Sequence, residues 1–440
     1  MRTGRRWAAA LAFVAAIATS ATALPQAQAA PRPFAATASP RSPIDRVGLA
    51  NALKAVHAAG MYGIYAAVRD GDTTWRGAAG VADRDTGRPV TPDMEHRIGS
   101  ITKSMTAVAL LQQVAAGRLD LDAPISRYLP GLIPGQRGDR ITVRMLLNHT
   151  SGIGDYTPYA FPSLLQGSGS SIEEGRFRHI SPLELAHWGI QTPATGAPGQ
   201  KWAYSNTNYI IAGLLLAKLT GEDPEQYITR NVIRRAGLRH TYFPTSPHIT
   251  GPHAKMYESG YGLFEPPRDF SVYDMSWGWT AGAVVSTMED LNRFYRELLT
   301  GRLLPAAQLA QMETTVPTSD ASGNAPQQYG LGLLRINSPC GTFWSHNGAV
   351  FGANTWVLSS PDGKRQLAFG YNLSKYDKLD ANGVPLNGPI DDAIYAFIAK
   401  ALCGTDAPAA EAPTAPIASM DLADVSRATA RPPVPFQGDR

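Results

Sequence analysis

Gly99-Ser100-Ile101-Thr102-Lys103-Ser104-Met105-Thr106-Ala107-Val108-Ala109-Leu110-Leu111-Gln112-Gln113-Val114 carries two signals at once. Met105, Val108, Ala109, Leu110, Leu111 and Val114 recur with helical spacing and read as a buried helix with Ser100 near its N-terminal end. Positions i and i+3 share a helix face, so the Ser100 hydroxyl and the Lys103 amine point into the same space. A hydroxyl is a weak nucleophile until a base stands beside it. A lysine held in a dry pocket loses enough proton affinity to act as that base. The helix N-terminus adds partial positive charge and unpaired N–H groups, both useful to a developing oxyanion. Only Lys103 among the lysines has a serine three residues before it. An S-x-x-K by itself is nevertheless weak, because about one is expected by chance in a chain of this size.

The N-terminus addresses the compartment. Arg2, Arg5 and Arg6 precede the apolar run Trp7 to Ala18, and Ala27-Gln28-Ala29 supplies a small-x-small cleavage site. This pattern predicts a secretory signal peptide over residues 1–29 and a secreted, extracellular protein. Losing those three arginines lowers the formal charge from +4 to +1, which leaves no basic footprint for nucleic acid. The longest later apolar run, Tyr209 to Ala217, is too short for a membrane span, so no membrane anchor is expected. Residues 30–41 and 405–440 are rich in Ala and Pro without helical or strand period, and read as flexible tails. Residues 42–404 form one catalytic unit of two intergrown lobes, since no linker or repeat divides them. Cys340 and Cys403 are the only cysteines, and an oxidising compartment favours a bridge between them.

A helix over Ile44 to Ala59 is followed by strands Gly63–Arg69 and Thr73–Val81 around the turn Asp70-Gly71-Asp72. Ser100 to Ala236 is helix-rich, with segments Val143–Asn148, Pro182–Trp188 and Asn208–Leu219. Strands return at Gly330–Ile336, Thr342–His346, Asn354–Ser359 and Gln366–Tyr371, before a terminal helix Asp391–Leu402. Strands at both ends with helices between imply an α+β fold: an antiparallel β-sheet flanked by helices, with an inserted all-helical lobe. The Ser100 helix would then lie where the lobes meet, a preferred place for a pocket.

Two further motifs accompany Ser100 and Lys103. Tyr204-Ser205-Asn206 is the only Y-x-N, placing a phenol able to relay protons two residues from an amide able to hold a carbonyl. Ser205 or Asn206 could equally cap a helix. His346-Asn347-Gly348 opens a glycine-rich strand whose backbone a substrate could approach closely. His187-Trp188-Gly189 also fits H-x-G, but it lies in a helical pattern ahead of Tyr204. His248 and His253 lack cysteine partners, so no metal site is expected, and no cofactor.

In the order S-x-x-K, Y-x-N, H-x-G, the chain resembles the serine beta-lactamase and penicillin-binding-protein superfamily. It is most similar to the secreted, soluble D-alanyl-D-alanine carboxypeptidases, which are themselves similar to class C beta-lactamases. The resemblance runs from about Ile44 to Cys403 and takes in Arg97-Ile98-Gly99-Ser100-Ile101-Thr102-Lys103-Ser104, Leu119-Asp120-Leu121-Asp122, Ile141-Thr142-Val143-Arg144, His149-Thr150-Ser151-Gly152, Ser276-Trp277 and Tyr329-Gly330-Leu331-Gly332-Leu333.

The resemblance implies that Ser100 is the nucleophile, Lys103 its base partner, Tyr204 the proton relay to the leaving group and Asn206 a holder of the substrate amide. It implies His346 as a polar or cationic neighbour, Asn347 and Gly348 at the substrate, and the backbone N–H groups of Ser100 and Ala349 as the oxyanion hole. Phe161 and Trp277 match apolar pocket positions. The activity implied is that of a secreted serine hydrolase acting through an acyl-enzyme on D-amino-acid peptides, of the D-Ala-D-Ala carboxypeptidase type; its expected substrates are small peptides or esters, including peptidoglycan stem peptides and beta-lactams, and the expected state is a monomer. An esterase, a D-stereospecific amino- or endopeptidase and a beta-lactamase use the same machinery; a non-catalytic penicillin- or peptidoglycan-binding module is the alternative of a different class.

One departure bears on specificity. The carboxypeptidases place a carboxylate-gripping arginine directly after the run that ends at Leu333; here that place holds Leu334. Strand alternation sends the next residue, Arg335, to the opposite face. This reading expects the carboxylate grip to be lost and uncharged esters or amides to be cleaved at least as well as free D-alanine carboxylates.

Overall fold

The computed structural model describes residues 43–318, 327–381 and 385–404. The expected signal peptide, the segment over 30–41 and the C-terminal tail lie outside them. Among the described residues no helix is long and apolar enough to cross a membrane.

A nine-stranded sheet organises the protein. Its strands are β1 (Gly63–Asp70), β2 (Thr73–Asp83), β3 (Arg88–Pro89), β4 (Val316–Pro317), β5 (Gln327–Tyr329), β6 (Leu334–Ser338), β7 (Gly341–Val350), β8 (Ala353–Ser359) and β9 (Arg365–Tyr371), in the spatial order β3-β2-β1-β9-β8-β7-β6-β5-β4. The long strands pair antiparallel, and β1 joins β9 so that both ends of the chain complete one sheet. The principal helices are α1 (Arg46–Ala58), α2 (Thr102–Ala115), α3 (Pro182–Gln191), α4 (Asn206–Thr220), α5 (Met288–Leu299) and α6 (Pro389–Cys403). The helix-rich segment between β3 and β4 is the inserted lobe.

Alternation along the strands sorts side chains onto two cores. Ile64, Ala66 and Val68 join Phe343, Trp356 and Leu358 under α1 and α6. Tyr65 and Ala67 join Trp344 and Val357 beneath α2 and the helical lobe. Asp45 caps α1 by accepting from the Gly48 N–H at 2.8 Å, and it also pairs with Lys400 of α6 at 3.1 Å. Cys340, just ahead of β7, is disulfide-bonded to Cys403 at the end of α6.

One strand expected from the sequence is in fact two. Gly330–Leu333 forms a turn, closed by the Gly330 N–H donating to the Leu333 carbonyl at 2.7 Å, with Gly332 at φ 76°. Tyr329 therefore pairs with Leu334 across a hairpin rather than continuing into it. Apolar residues filled the turn and masked it: Leu331 and Leu333 are buried under α2's face of the sheet.

The hairpin also overturns the expectation about Leu334. In β6, Leu334 stands opposite Ser345 and Ile336 opposite Phe343, on the side of α1 and α6. Arg335 stands opposite Trp344, on the face that two residues further along β7 presents His346. Alternation does separate the two side chains, but it is Leu334 that faces away from His346. The missing arginine at position 334 therefore says nothing about the site.

Candidate active site

Gly99 opens the site. It adopts φ 52°, which starts a short 3-10 turn (Gly99–Ile101) leading into α2. That turn packs against β7 where the sheet leaves room for it. β6 pairs with β7 only up to Ser345, so among the described residues no strand neighbours one edge of β7 from His346 to Val350. A Cβ on Gly348 would stand 1.9 Å from the Ile98 carbonyl oxygen, and a Cβ on Gly99 would stand 2.8 Å from the Ala349 nitrogen. Only glycine at both places lets the backbone of Ser100 and Ala349 come together, as an oxyanion hole requires.

Lys103 is wholly buried beneath Ser100. Its Nζ lies 2.9 Å from Ser100 Oγ, 2.8 Å from Asn206 Oδ1 and 2.7 Å from the Ala281 carbonyl oxygen. Burial pushes the amine down to about 7, against the opposing charge of Asp155. Asn206 Oδ1 and the Ala281 carbonyl can only accept. A neutral Lys103 therefore spends its two N–H bonds on them and turns its lone pair to the Ser100 hydroxyl.

Tyr204 flanks Ser100 as well. Interaction with Ser100 favours its ionised form, but burial dominates and holds the phenol well above 10. Of the two groups beside Ser100, the lysine is the one brought toward neutrality and the phenol the one held protonated. The Lys103 Nζ also lies 5.0 Å from the centre of the Tyr204 ring. Behind that ring, His149 stacks at 4.1 Å with the planes 23° apart. His149 Nδ1 accepts from the Ser205 N–H and from Asn208 Nδ2, each at 3.2 Å. Burial, followed by the Lys103 charge, keeps its imidazole neutral.

His346 is neutral too, which corrects the cationic role that the sequence allowed. Its Nδ1–H donates to the Asn347 carbonyl at 2.5 Å, and its Nε2 accepts from the Tyr329 hydroxyl at 2.9 Å. Burial and then Lys103 drive its pKa down to about 3. The Asn347 side chain shares the Trp356 face of the sheet, away from His346, so only its backbone borders the site.

An open cleft leads to Ser100 from one side. Tyr156, Asn206, Trp277, Ala349, Phe351 and Lys375 line it with Ser100, and its wall is mostly apolar. Phe161 stands behind this wall, packed edge-on against Trp277 at 5.3 Å and Phe351 at 5.0 Å. Lys103, Tyr204 and His346 do not line the cleft.

Sequence reasoning missed four contributors. Phe351 directly follows Val350, and extending the His346 strand by a few residues would have found it. Asp155 closes Ser151-Gly152-Ile153-Gly154 as a lone acid in a small-residue stretch; it accepts from the Asn206 N–H at 2.6 Å and so holds the start of α4 beside Lys103. Ala281 acts through its carbonyl, which no side-chain motif reports. Lys375 follows β9 at φ 49° and is placed only by tertiary packing.

A D-stereospecific amidohydrolase from Streptomyces sp. is 34% identical in an alignment covering 82% of this chain and 99% of that one, with a TM-score of 0.71. The D-amino acid amidase from Ochrobactrum anthropi SV3 is 25% identical over 75% of this chain and 94% of its own, with a TM-score of 0.63. Penicillin-binding protein 4* of Bacillus subtilis (strain 168) is 26% identical over 321 residues, which is 70% of this chain and 67% of that relative. The Beta-lactamase family model matches residues 49–382, and with the fold and the S-x-x-K, Y-x-N and H-x-G elements in place the chain belongs to this family of serine beta-lactamase-fold hydrolases.

Proposed function

We propose that the protein is a secreted serine hydrolase that cleaves amides and peptides of D-amino acids through an acyl-enzyme on Ser100. The observation that carries this reading is the Lys103 amine. It is buried to a pKa of about 7 and tied to two pure acceptors, so its lone pair faces Ser100. Ser100 Oγ would attack the substrate carbonyl as its proton passes to Lys103, and the developing oxyanion would sit between the backbone N–H groups of Ser100 and Ala349. The high pKa of Tyr204 suits it to pass that proton to the departing amine. Water would then release the acyl group by the same steps in reverse. The D-amino-acid substrate class draws support from the Streptomyces amidohydrolase, which matches almost its whole length to this chain.

A second reading is cleavage beside a free D-alanine carboxylate, as in a carboxypeptidase. Arg335 favours it, because it stands on the His346 face of the sheet, about 7 Å along the strand direction from the His346 position.

Incubation with a fluorescent penicillin or a D-phenylalanine ester, followed by mapping of the labelled peptide, tests the acyl-enzyme. The label is expected on Ser100 and absent from Ser100→Ala. Labelling of any other residue would refute the assignment. Turnover of N-acetyl-D- but not N-acetyl-L-phenylalanine amide tests the substrate class.

A further inference from the structure

We infer that Lys375 is a specificity residue that receives an anionic or carbonyl-bearing group on the acyl side of the substrate, and that by covering Glu258 it excludes a free α-ammonium there. The inference rests on the D-amide reading above. With the scissile carbonyl at Ser100 and the leaving group on the side of Tyr204, the acyl part enters the cleft bounded by Trp277, Phe351 and Lys375.

Among the described residues Lys375 is the one charged side chain lining that cleft. Its Nζ bonds to Glu258 Oε2 at 3.1 Å and lies 5.7 Å from the centre of the Phe351 ring. The pair is unequally shared with solvent: the Glu258 side chain is 1% exposed and that of Lys375 13%. The ammonium, not the carboxylate, therefore meets the ligand.

Glu258 is bound from behind as well. The Gly260 N–H donates to its Oε1 at 2.8 Å and the Gly352 N–H to its Oε2 at 3.0 Å. Those two donors spread the carboxylate charge over the backbone and leave the ammonium incompletely neutralised. With one of its three N–H bonds given to Glu258, Lys375 keeps donors for a substrate carboxylate or carbonyl. A substrate with a free α-ammonium at Lys375 finds the Glu258 carboxylate already covered by a like charge. An N-acyl substrate, above all one whose acyl group ends in a carboxylate, finds a partner.

The test measures binding, so that it is independent of turnover. Calorimetric Kd values are obtained for D-phenylalanine amide and its N-acetyl and N-succinyl forms, on Ser100→Ala and on Ser100→Ala carrying Lys375→Met. The parent should bind N-succinyl tightest and the free amine weakest. Lys375→Met should lower the ratio of N-succinyl to N-acetyl affinity about tenfold and raise affinity for the free amine as Glu258 is uncovered. Lys375→Arg should keep the parent's order, and Glu258→Gln should steepen the N-succinyl preference. An unchanged ratio in Lys375→Met, or a parent that binds the free amine best, would overturn the inference. Turnover by the unsubstituted protein reports separately on the D-amide reading, which fails if no D-amide is cleaved whatever the affinities.

Discussion

The imidazole of His149 lies flat against the phenol of Tyr204, 4.1 Å between ring centres, on a backbone held at φ 60°. A left-handed conformation at a non-glycine residue persists only where its surroundings over-determine it. Here Ser205 and Asn208 fix the ring from one side and Tyr204 rests on the other. His149→Asn, which tolerates the backbone, should therefore loosen Tyr204 and lower kcat about tenfold with a smaller change in KM. Steady-state kinetics on a D-phenylalanine ester, beside a melting curve, would check this. An equal loss in every substrate parameter together with a collapsed melting temperature would point to a purely structural role.

The pH dependence follows from Lys103. Its folded pKa of about 7 is depressed from the ordinary lysine value of 10.5, so the active neutral amine accumulates as pH rises. The acid limb of kcat/KM should show a single inflection near 7. His346, held at about 3, cannot supply that limb, so His346→Gln should leave an inflection in place. For stability the sign is the same. Between the folded and unfolded pKa values the unfolded chain binds more protons at this lysine, so its contribution rises from about pH 7 upward and is least below it. Lys103→Met should flatten that rise in urea-denaturation midpoints measured across the window.

Gly348→Ala should abolish acylation. The new methyl would stand 1.9 Å from the Ile98 carbonyl oxygen and 2.9 Å from the Ser100 nitrogen, forcing β7 off the turn that carries the nucleophile. Overpacking of this kind costs about 1–3 kcal/mol, so the variant should fold while losing fluorescent-penicillin labelling. Undiminished labelling would mean that the two backbones need not approach so closely.

The two substrate readings separate on Arg335. If D-amides are the substrates, a peptide ending in D-alanine amide should be cleaved at least as well as the same peptide ending in the free carboxylate, and Arg335→Ala should not change the ratio. A strong preference for the carboxylate that Arg335→Ala removes would establish the carboxypeptidase reading.

Cys340 and Cys403 close a loop of sequence separation 63 that ties the start of β7 to the end of α6. Chain entropy sets an upper stabilisation of about 4 kcal/mol for such a loop. Cys403→Ser should lower the melting temperature while leaving Ser100 reactive, since neither cysteine lines the cleft. Two alkylatable thiols in denatured, unreduced protein would contradict the bridge.

The Ser100–Lys103 pair was legible because helix geometry is local: three residues fix the side chains' relation before any other contact forms. The alternation of mixed strands and helices likewise implied a sheet assembled from both chain ends, because unpaired strands must find partners. Tyr204 and Asn206 were legible as candidates in the only Y-x-N, but nothing within Tyr204-Ser205-Asn206 says what it will face, and Ala349 was legible only through the resemblance. Register was the first thing left to tertiary structure. One apolar turn at Gly330–Leu333 decided that Arg335, and not Leu334, shares the His346 face, and a period of two makes every side chain hostage to such a step. Protonation was the second, for His346 is neutral and Lys103 poised near 7 because burial removes water, a quantity the chain acquires only on folding. The wall of the cleft was the third: Lys375 and Glu258 stand 117 residues apart in sequence, and only the packed fold makes them one surface.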